Sequence, residues 1–221
     1  MCGRYAISGD PVSIKKRFGI KNDPVIFSPH FNAAPGMMLP VIRDDGGIVA
    51  VLAKWGLIPP WAKDPKIGYK MINAREETLM EKPSFKRPFI SKRCLVPVSG
   101  FYEWKHLGNE KTPYFIRLKN AELFSLAGLY ETWTDVEERS QLSFTIITTG
   151  PNTLMQSIHD RMPVIIPAER ESEWLDPANK NPESLHKLLI PYAADQMFAY
   201  PVSALVNNPE NDSRDLMREI K

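Results

Sequence analysis

Cysteine is scarce in this 221-residue chain: Cys2 and Cys94 are the only two. They lie far apart and nothing suggests secretion, so no disulfide framework is expected. Neither a CxxC pair nor a paired-histidine spacing occurs, which removes the usual zinc signatures; no metal or other cofactor is expected. Apolar runs of about 18 residues are missing too, so no membrane association is expected. The opening MCGRYAISGD has no apolar stretch behind a basic start and no glycine in second place. It reads as neither a secretory signal nor a myristoylation site. Net charge is nearly absent, with 28 basic against 26 acidic residues leaving +2. Global attraction to nucleic acid is therefore not indicated, and any such site must be a local patch. The expected setting is a reducing cytoplasm, or a nucleus if the source has one.

What is present is an ordinary globular balance, with 43% hydrophobic residues, too many for disorder. Twenty prolines disfavour long helices and favour short strands and fixed loops. Asp10 before Pro11 predicts a helix over 11–18. Asp44-Asp45-Gly46-Gly47 between two apolar runs predicts a hairpin of strands 38–43 and 48–53. Further strands are predicted over 94–98, 101–105, 114–118, 123–130, 143–149, 163–166 and 198–202. Short helices are predicted at 76–80, 152–158, 168–175 and 184–189. The alternation is too irregular for a doubly wound sheet. The expected fold is α+β, one domain around a curved, mainly antiparallel, barrel-like sheet with short surrounding helices. That domain is placed at residues 1–206, with 207–221 as a polar C-terminal tail.

Four segments could carry chemistry: MCGR at the start, NARE at 73–76, GFYEW at 100–104 and HDRMP at 159–163. Removal of Met1 would leave Cys2 with a free amine and a thiol two carbons apart. Such an amine has a pKa of about 7.7–8.0, so part of it is nucleophilic near neutrality. It can condense with an aldehyde to an imine, on which the thiol closes a five-membered thiazolidine. Glu103 sits between aromatics in an apolar strand, where a carboxyl is pushed toward its neutral form and can shuttle protons. His159 is a natural proton shuttle, and Asn73 could orient an amine or a sugar oxygen. Arg4, Arg75 and Arg161 lie within two residues of these groups, and arginine forks match phosphate oxygens. Trp55, Trp61 and Trp104 could stack on bases. Each residue taken singly has an ordinary structural explanation, as a turn, a surface ion pair or core packing.

The ordered set of motifs is more specific. MCGRY, FNAAP at 31–35, WGLIPPW at 55–61, NAREE at 73–77, RCLVP at 93–97, GFYEW, FSLAGLY at 124–130, FTIITT at 144–149 and HDRMPVIIP at 159–167 together resemble the SRAP family, named for SOS-response-associated peptidase. The resemblance implies a protein of the DNA-damage response that recognises abasic sites in single-stranded DNA, expected as a monomer. It would bond to them through Cys2 as a thiazolidine crosslink that shields the lesion. By the same resemblance Asn73 orients the reacting groups, Glu103 acts as acid and base, and His159 assists sugar-ring opening. Arg4, Arg75, Arg161, Trp55 and Trp104 fall where DNA contacts are expected. The connection between Trp61 and Asn73 is short for the family. The alternative, suggested by the family's name, is a cysteine-type peptidase or autoprocessing enzyme using Cys2.

Overall fold

The structure, a computed structural model, describes residues 2–23, 25–108 and 110–220. Among the described residues there are thirteen strands: β1 Tyr5–Ile7, β2 His30–Ala33, β3 Met38–Asp44, β4 Ile48–Trp55, β5 Asn73–Arg75, β6 Arg93–Val98, β7 Gly100–Leu107, β8 Glu110–Leu118, β9 Phe124–Thr134, β10 Ser140–Thr149, β11 Met162–Pro163, β12 Ile165–Ile166 and β13 Met197–Pro201. The helices are α1 Pro11–Phe18, α2 Pro83–Ser91, α3 Glu171–Leu175 and α4 Pro182–His186, with several short 3-10 turns between elements.

Five strands close into a ring. β4 pairs with β3, β3 with β6, β6 with β9, β9 with β10, and β10 returns to β4. All these pairings are antiparallel except β10 with β4. Closure removes exposed strand edges and encloses side chains such as Leu39, Val41, Trp55, Leu126 and Phe144, all essentially fully buried. The barrel-like α+β expectation is thus met.

A second sheet, in the order β13-β8-β7-β1-β2, lies against the ring. Strand side chains alternate between faces, and this sheet obeys that rule closely. Tyr5, Ile7, Phe101 and Ile116 turn inward to the main core. Ala6, Tyr102 and Phe115 turn outward, where Val202, Val206 and Leu216 cover them. Leu216, and the partly buried Met217 beside it, belong to the stretch read as a polar tail. That stretch is polar in composition yet docked: Glu219 bridges to Val202, and Ile220 N–H donates to the Pro201 carbonyl at 3.0 Å. Asp212 accepts from the Asn32 N–H at 3.1 Å.

Local signals explain several elements. Asp10 accepts the Ser13 N–H at 2.8 Å, Pro11 opens α1, and Gly19 ends it at φ 64°, the usual left-handed helix stop. The Asp44–Gly47 hairpin turn forms as expected, with Asp44 accepting the Gly47 N–H at 2.8 Å. The helix expected over 152–158 shrinks to one 3-10 turn at Met155–Ser157. α2 was not anticipated, because it carries Pro88 in its interior at the cost of one helical hydrogen bond. Burial of Phe85, Pro88 and Phe89 offsets that loss. Among the described residues no helix is long and apolar enough to cross a membrane.

Candidate functional site

The site is built where the ring frays. Along one edge of β10, β4 pairs only with Ser143 and Phe144, and β5 takes over at Ile146–Thr148. Along the other edge, β9 ends at Ile146, and β11 takes over at Thr148 and Thr149. The NAR and HDRMP segments are therefore brought to the same end of the same strand, although 84 residues separate Glu77 from Arg161. The loop leading into β5 is fixed by a backbone crossing. Gly56, at φ 123°, passes Gly68 so closely that a Cβ on Gly56 would lie 2.6 Å from the Gly68 carbonyl oxygen.

Cys2 reaches this place from the second sheet and is fully buried. Asn73 Nδ2 donates to the Cys2 carbonyl at 2.9 Å and to the Ile72 carbonyl at 2.8 Å. Both amide hydrogens are thereby used. Asn73 Oδ1 is buried and has no hydrogen-bond partner among the described residues. Glu103 shares the inward face of β7 with Phe101 and is 2% exposed. Burial pushes its carboxyl above the ordinary range, and nearby His159 pulls it partly back. Burial also pushes the Cys2 thiol up, and the adjacent Glu103 charge adds to that. A thiolate is thus disfavoured here, whereas a neutral thiol is at ease.

His159 Nδ1 lies 3.0 Å from the Arg161 N–H and 2.8 Å from an Asp160 carboxylate oxygen. The two contacts are alternatives, since the nitrogen accepts in one and donates in the other. Asp160 is strongly exposed, so the backbone contact is the better held.

The arginines differ in how far they are committed. Arg4 Nη1 donates to Asn32 Oδ1 at 2.7 Å and to the Val206 carbonyl at 2.9 Å. It ties β1 to β2 and the C-terminal segment. Arg161 grips the Glu77 carboxylate with both ends of its fork and donates to the Thr148 carbonyl at 2.7 Å. That pairing holds Glu77 below the usual carboxylate range. Arg75 pairs with Thr148 across β5 and β10 and is exposed.

One aromatic expectation needs correction. Trp55 is 1% exposed. Its ring packs 5.0 Å from Tyr5 and 6.2 Å from Phe144, and its indole N–H donates to the Ile72 carbonyl at 3.0 Å. It is a core residue because it shares the inward face of β4 with Ala53, and no base can reach its ring. Trp104 follows the parity of Tyr102, so it lies on the face opposite Glu103 and packs against the outer cluster. Its indole donates to Asn207 Oδ1 at 2.7 Å. Among the exposed aromatics are Trp61 and Tyr69, each 59% exposed. Trp61 lines an open cavity of about 320 Å³ with Lys63, Lys66 and Lys70, and Lys54 lies over the Tyr69 ring at 5.8 Å. The lysines at 63, 66 and 70 recur at helical spacing, a signal that could have marked this patch from sequence. Among the described residues no group of His, Cys, Asp and Glu is placed to hold a metal ion.

These features define a single-domain α+β protein in which Asn73, Glu103 and His159 lie near buried Cys2. The chain belongs to the SRAP family, SOS response associated peptidase, whose family model matches residues 1–209. It is 51% identical over 223 residues to the abasic site processing protein YoqW of Bacillus subtilis strain 168, covering 98% of this chain and 99% of that one. The abasic site processing protein HMCES of Xenopus tropicalis is 31% identical over 265 residues, covering 100% of this chain and 78% of the relative. A crystal structure of a Bacteroides thetaiotaomicron protein matches with a TM-score of 0.91 at 30% identity, over the full length of both chains.

Proposed function

We propose that this chain processes abasic sites in single-stranded DNA by bonding to them covalently through Cys2, and that it does so as a single chain. The observation that carries the reading is the meeting of buried Cys2 with Asn73, Glu103 and His159 at the frayed end of the ring. The names of the relatives, abasic site processing proteins, point the same way.

The chemistry begins with loss of Met1, which lies outside the described residues. The freed Cys2 amine attacks the aldehyde carbon of the ring-opened deoxyribose. Its nitrogen gains a bond to carbon and gives up a proton, for which the raised Glu103 carboxyl is the nearby exchanger. The carbinolamine then loses hydroxide as water, taking a proton back, and an imine remains. The neutral Cys2 thiol adds across that imine: sulfur bonds to carbon and its proton passes to nitrogen. The sum is aldehyde plus aminothiol giving thiazolidine plus water, with no oxidant or reductant. Asn73 holds the Cys2 carbonyl, which fixes the direction of the amine. His159 is the nearby proton shuttle for opening the sugar ring. A buried residue 2 favours an extended or sharply bent single strand over continuous duplex, because the sugar has to travel inward.

The raised thiol argues for an amine-first order and against a peptidase. Cysteine peptidases need a stabilised thiolate, whereas burial here opposes one. Arg75, Trp61, Tyr69 and the neighbouring lysines are the proposed strand contacts. A phosphate meeting Arg161 has to compete with Glu77.

The test is a denaturing gel with Met-processed protein and a single-stranded oligonucleotide carrying one abasic site. A slow band that survives heat and detergent, and that needs both the lesion and Cys2, supports the reading. Absence of that band with folded, processed protein, or its persistence in Cys2→Ala, refutes it.

A further inference from the structure

The outer face of the second sheet carries a cavity of about 360 Å³ that the chemistry around Cys2 does not use. Strand parity places it. Ser8 follows Ala6 in parity, Arg117 follows Phe115, and Tyr200 pairs with Phe115 across β13 and β8. All of them turn away from the face that carries Phe101 and Glu103. The cavity and the Cys2 site therefore lie on opposite sides of one sheet.

The lining is unusually rich in donors for anions. Arg117, Arg214 and Arg218 converge on it, with Glu122 the one carboxylate side chain among the described residues of the wall. Arg117 is weakly committed: it makes a long 3.4 Å contact to the Leu118 carbonyl and lies 5.2 Å over the Phe198 ring. Arg214 makes no ion pair among the described residues, and Arg218 has only an exposed contact with Asp215 at 3.1 Å. Exposed pairs of that kind are worth little and yield readily to a better anion. The Ser8 and Ser99 hydroxyls, 2.7 Å apart, add two further polar groups. Tyr200 supplies an aromatic wall, its hydroxyl tethered to the Met217 carbonyl at 3.0 Å. Arginine forks bind phosphate oxygens through paired, charge-assisted bonds, and the volume lies at the small end of the range for small-molecule sites.

We propose that this cavity binds the phosphate of a nucleotide-sized ligand, with the arginines on the phosphate and the base or sugar against Tyr200. Two sources share that chemistry, a free mononucleotide and a nucleotide of a bound strand. The proposal does not depend on covalent chemistry at Cys2.

The experiment is calorimetric titration of the full chain with thymidine 5′-monophosphate, with thymidine, and with an undamaged oligothymidylate. Wild type is compared with the double variant Arg117→Gln/Arg214→Gln, whose folding is checked by thermal melting. A free-nucleotide site gives binding of the monophosphate at least about tenfold tighter than thymidine, with that preference abolished in the variant. A strand site gives no mononucleotide binding, and instead about tenfold weaker oligonucleotide binding in the variant, with a reduced salt slope. Either result supports a phosphate site and identifies its source. If the folded variant binds both the monophosphate and the oligonucleotide within about twofold of wild type, the proposal is wrong.

Discussion

Replacing Glu103 with Gln should stabilise the fold near neutral pH while crippling the chemistry. Glu103 is 2% exposed, and burial raises its carboxyl above the ordinary range. A carboxyl raised by folding contributes stability that is fully present below its unfolded pKa of about 4.3, and that stability is lost as pH rises through the folded value. Above both values each pH unit of elevation costs the fold about 1.4 kcal/mol. In a chain of this length each kcal/mol moves Tm by about 2–4 °C. Gln keeps the size and the hydrogen-bonding capacity but cannot ionise, so it removes this cost. Glu103→Gln should therefore melt higher than wild type at about pH 7, and the gap should close at about pH 4. Crosslinking by the same preparation should slow by about 10²–10⁴, the usual worth of a positioned proton carrier. Thermal melts at both pH values, paired with single-turnover crosslinking, test both halves. A variant that melts at or below wild type near neutrality, or whose gain is the same at both pH values, refutes the burial argument. An unimpaired rate refutes the proton-carrying role.

Trp55→Ala should cost about 3–5 kcal/mol by urea denaturation, because the ring is buried against Tyr5 and Phe144. Trp61→Ala should leave stability within about 0.5 kcal/mol yet weaken undamaged single-strand binding by about 1–3 kcal/mol, read by fluorescence anisotropy. Gly56→Ala should destabilise by more than about 1 kcal/mol, since the new methyl meets the Gly68 carbonyl oxygen at 2.6 Å; an unchanged denaturation midpoint would contradict this. Asn73→Ala removes the bond to the Cys2 carbonyl and should slow crosslinking by about two- to tenfold, with strand affinity unchanged in the same anisotropy assay.

Elements with local punctuation were legible in the sequence. Asp10, Pro11 and Gly19 mark α1 at both ends, and the DDGG turn sets the register of β3 and β4. The period-two reading of GFYEW likewise puts Glu103 beside Phe101 and not beside Tyr102. Elements held only by distant partners were not legible. β5 is three residues long and exists because β10 pairs with it, so no strand was expected around Asn73. α2 was hidden by Pro88, whose penalty is a local fact while the burial that offsets it is a tertiary one. The assignment of Trp55 failed for a related reason. Tryptophan's hydrophobicity does not say which of several rings the core takes, and closure of the ring decided that Trp55 went inside and Trp61 stayed out. The arginines were found by proximity in sequence, but Glu77 as the partner of Arg161 could be seen only once β5 and β11 met at the end of β10.

The most direct measurement is the intact mass of the denatured adduct between Met-processed protein and an oligonucleotide bearing one abasic site, followed by proteolysis to locate the bond. The amine-first mechanism predicts protein plus oligonucleotide minus one water, with the bond on the peptide beginning at Cys2 and no added mass after borohydride treatment, as befits a closed thiazolidine. An adduct mapped to another residue, or one that borohydride reduces as an open imine, would contradict it.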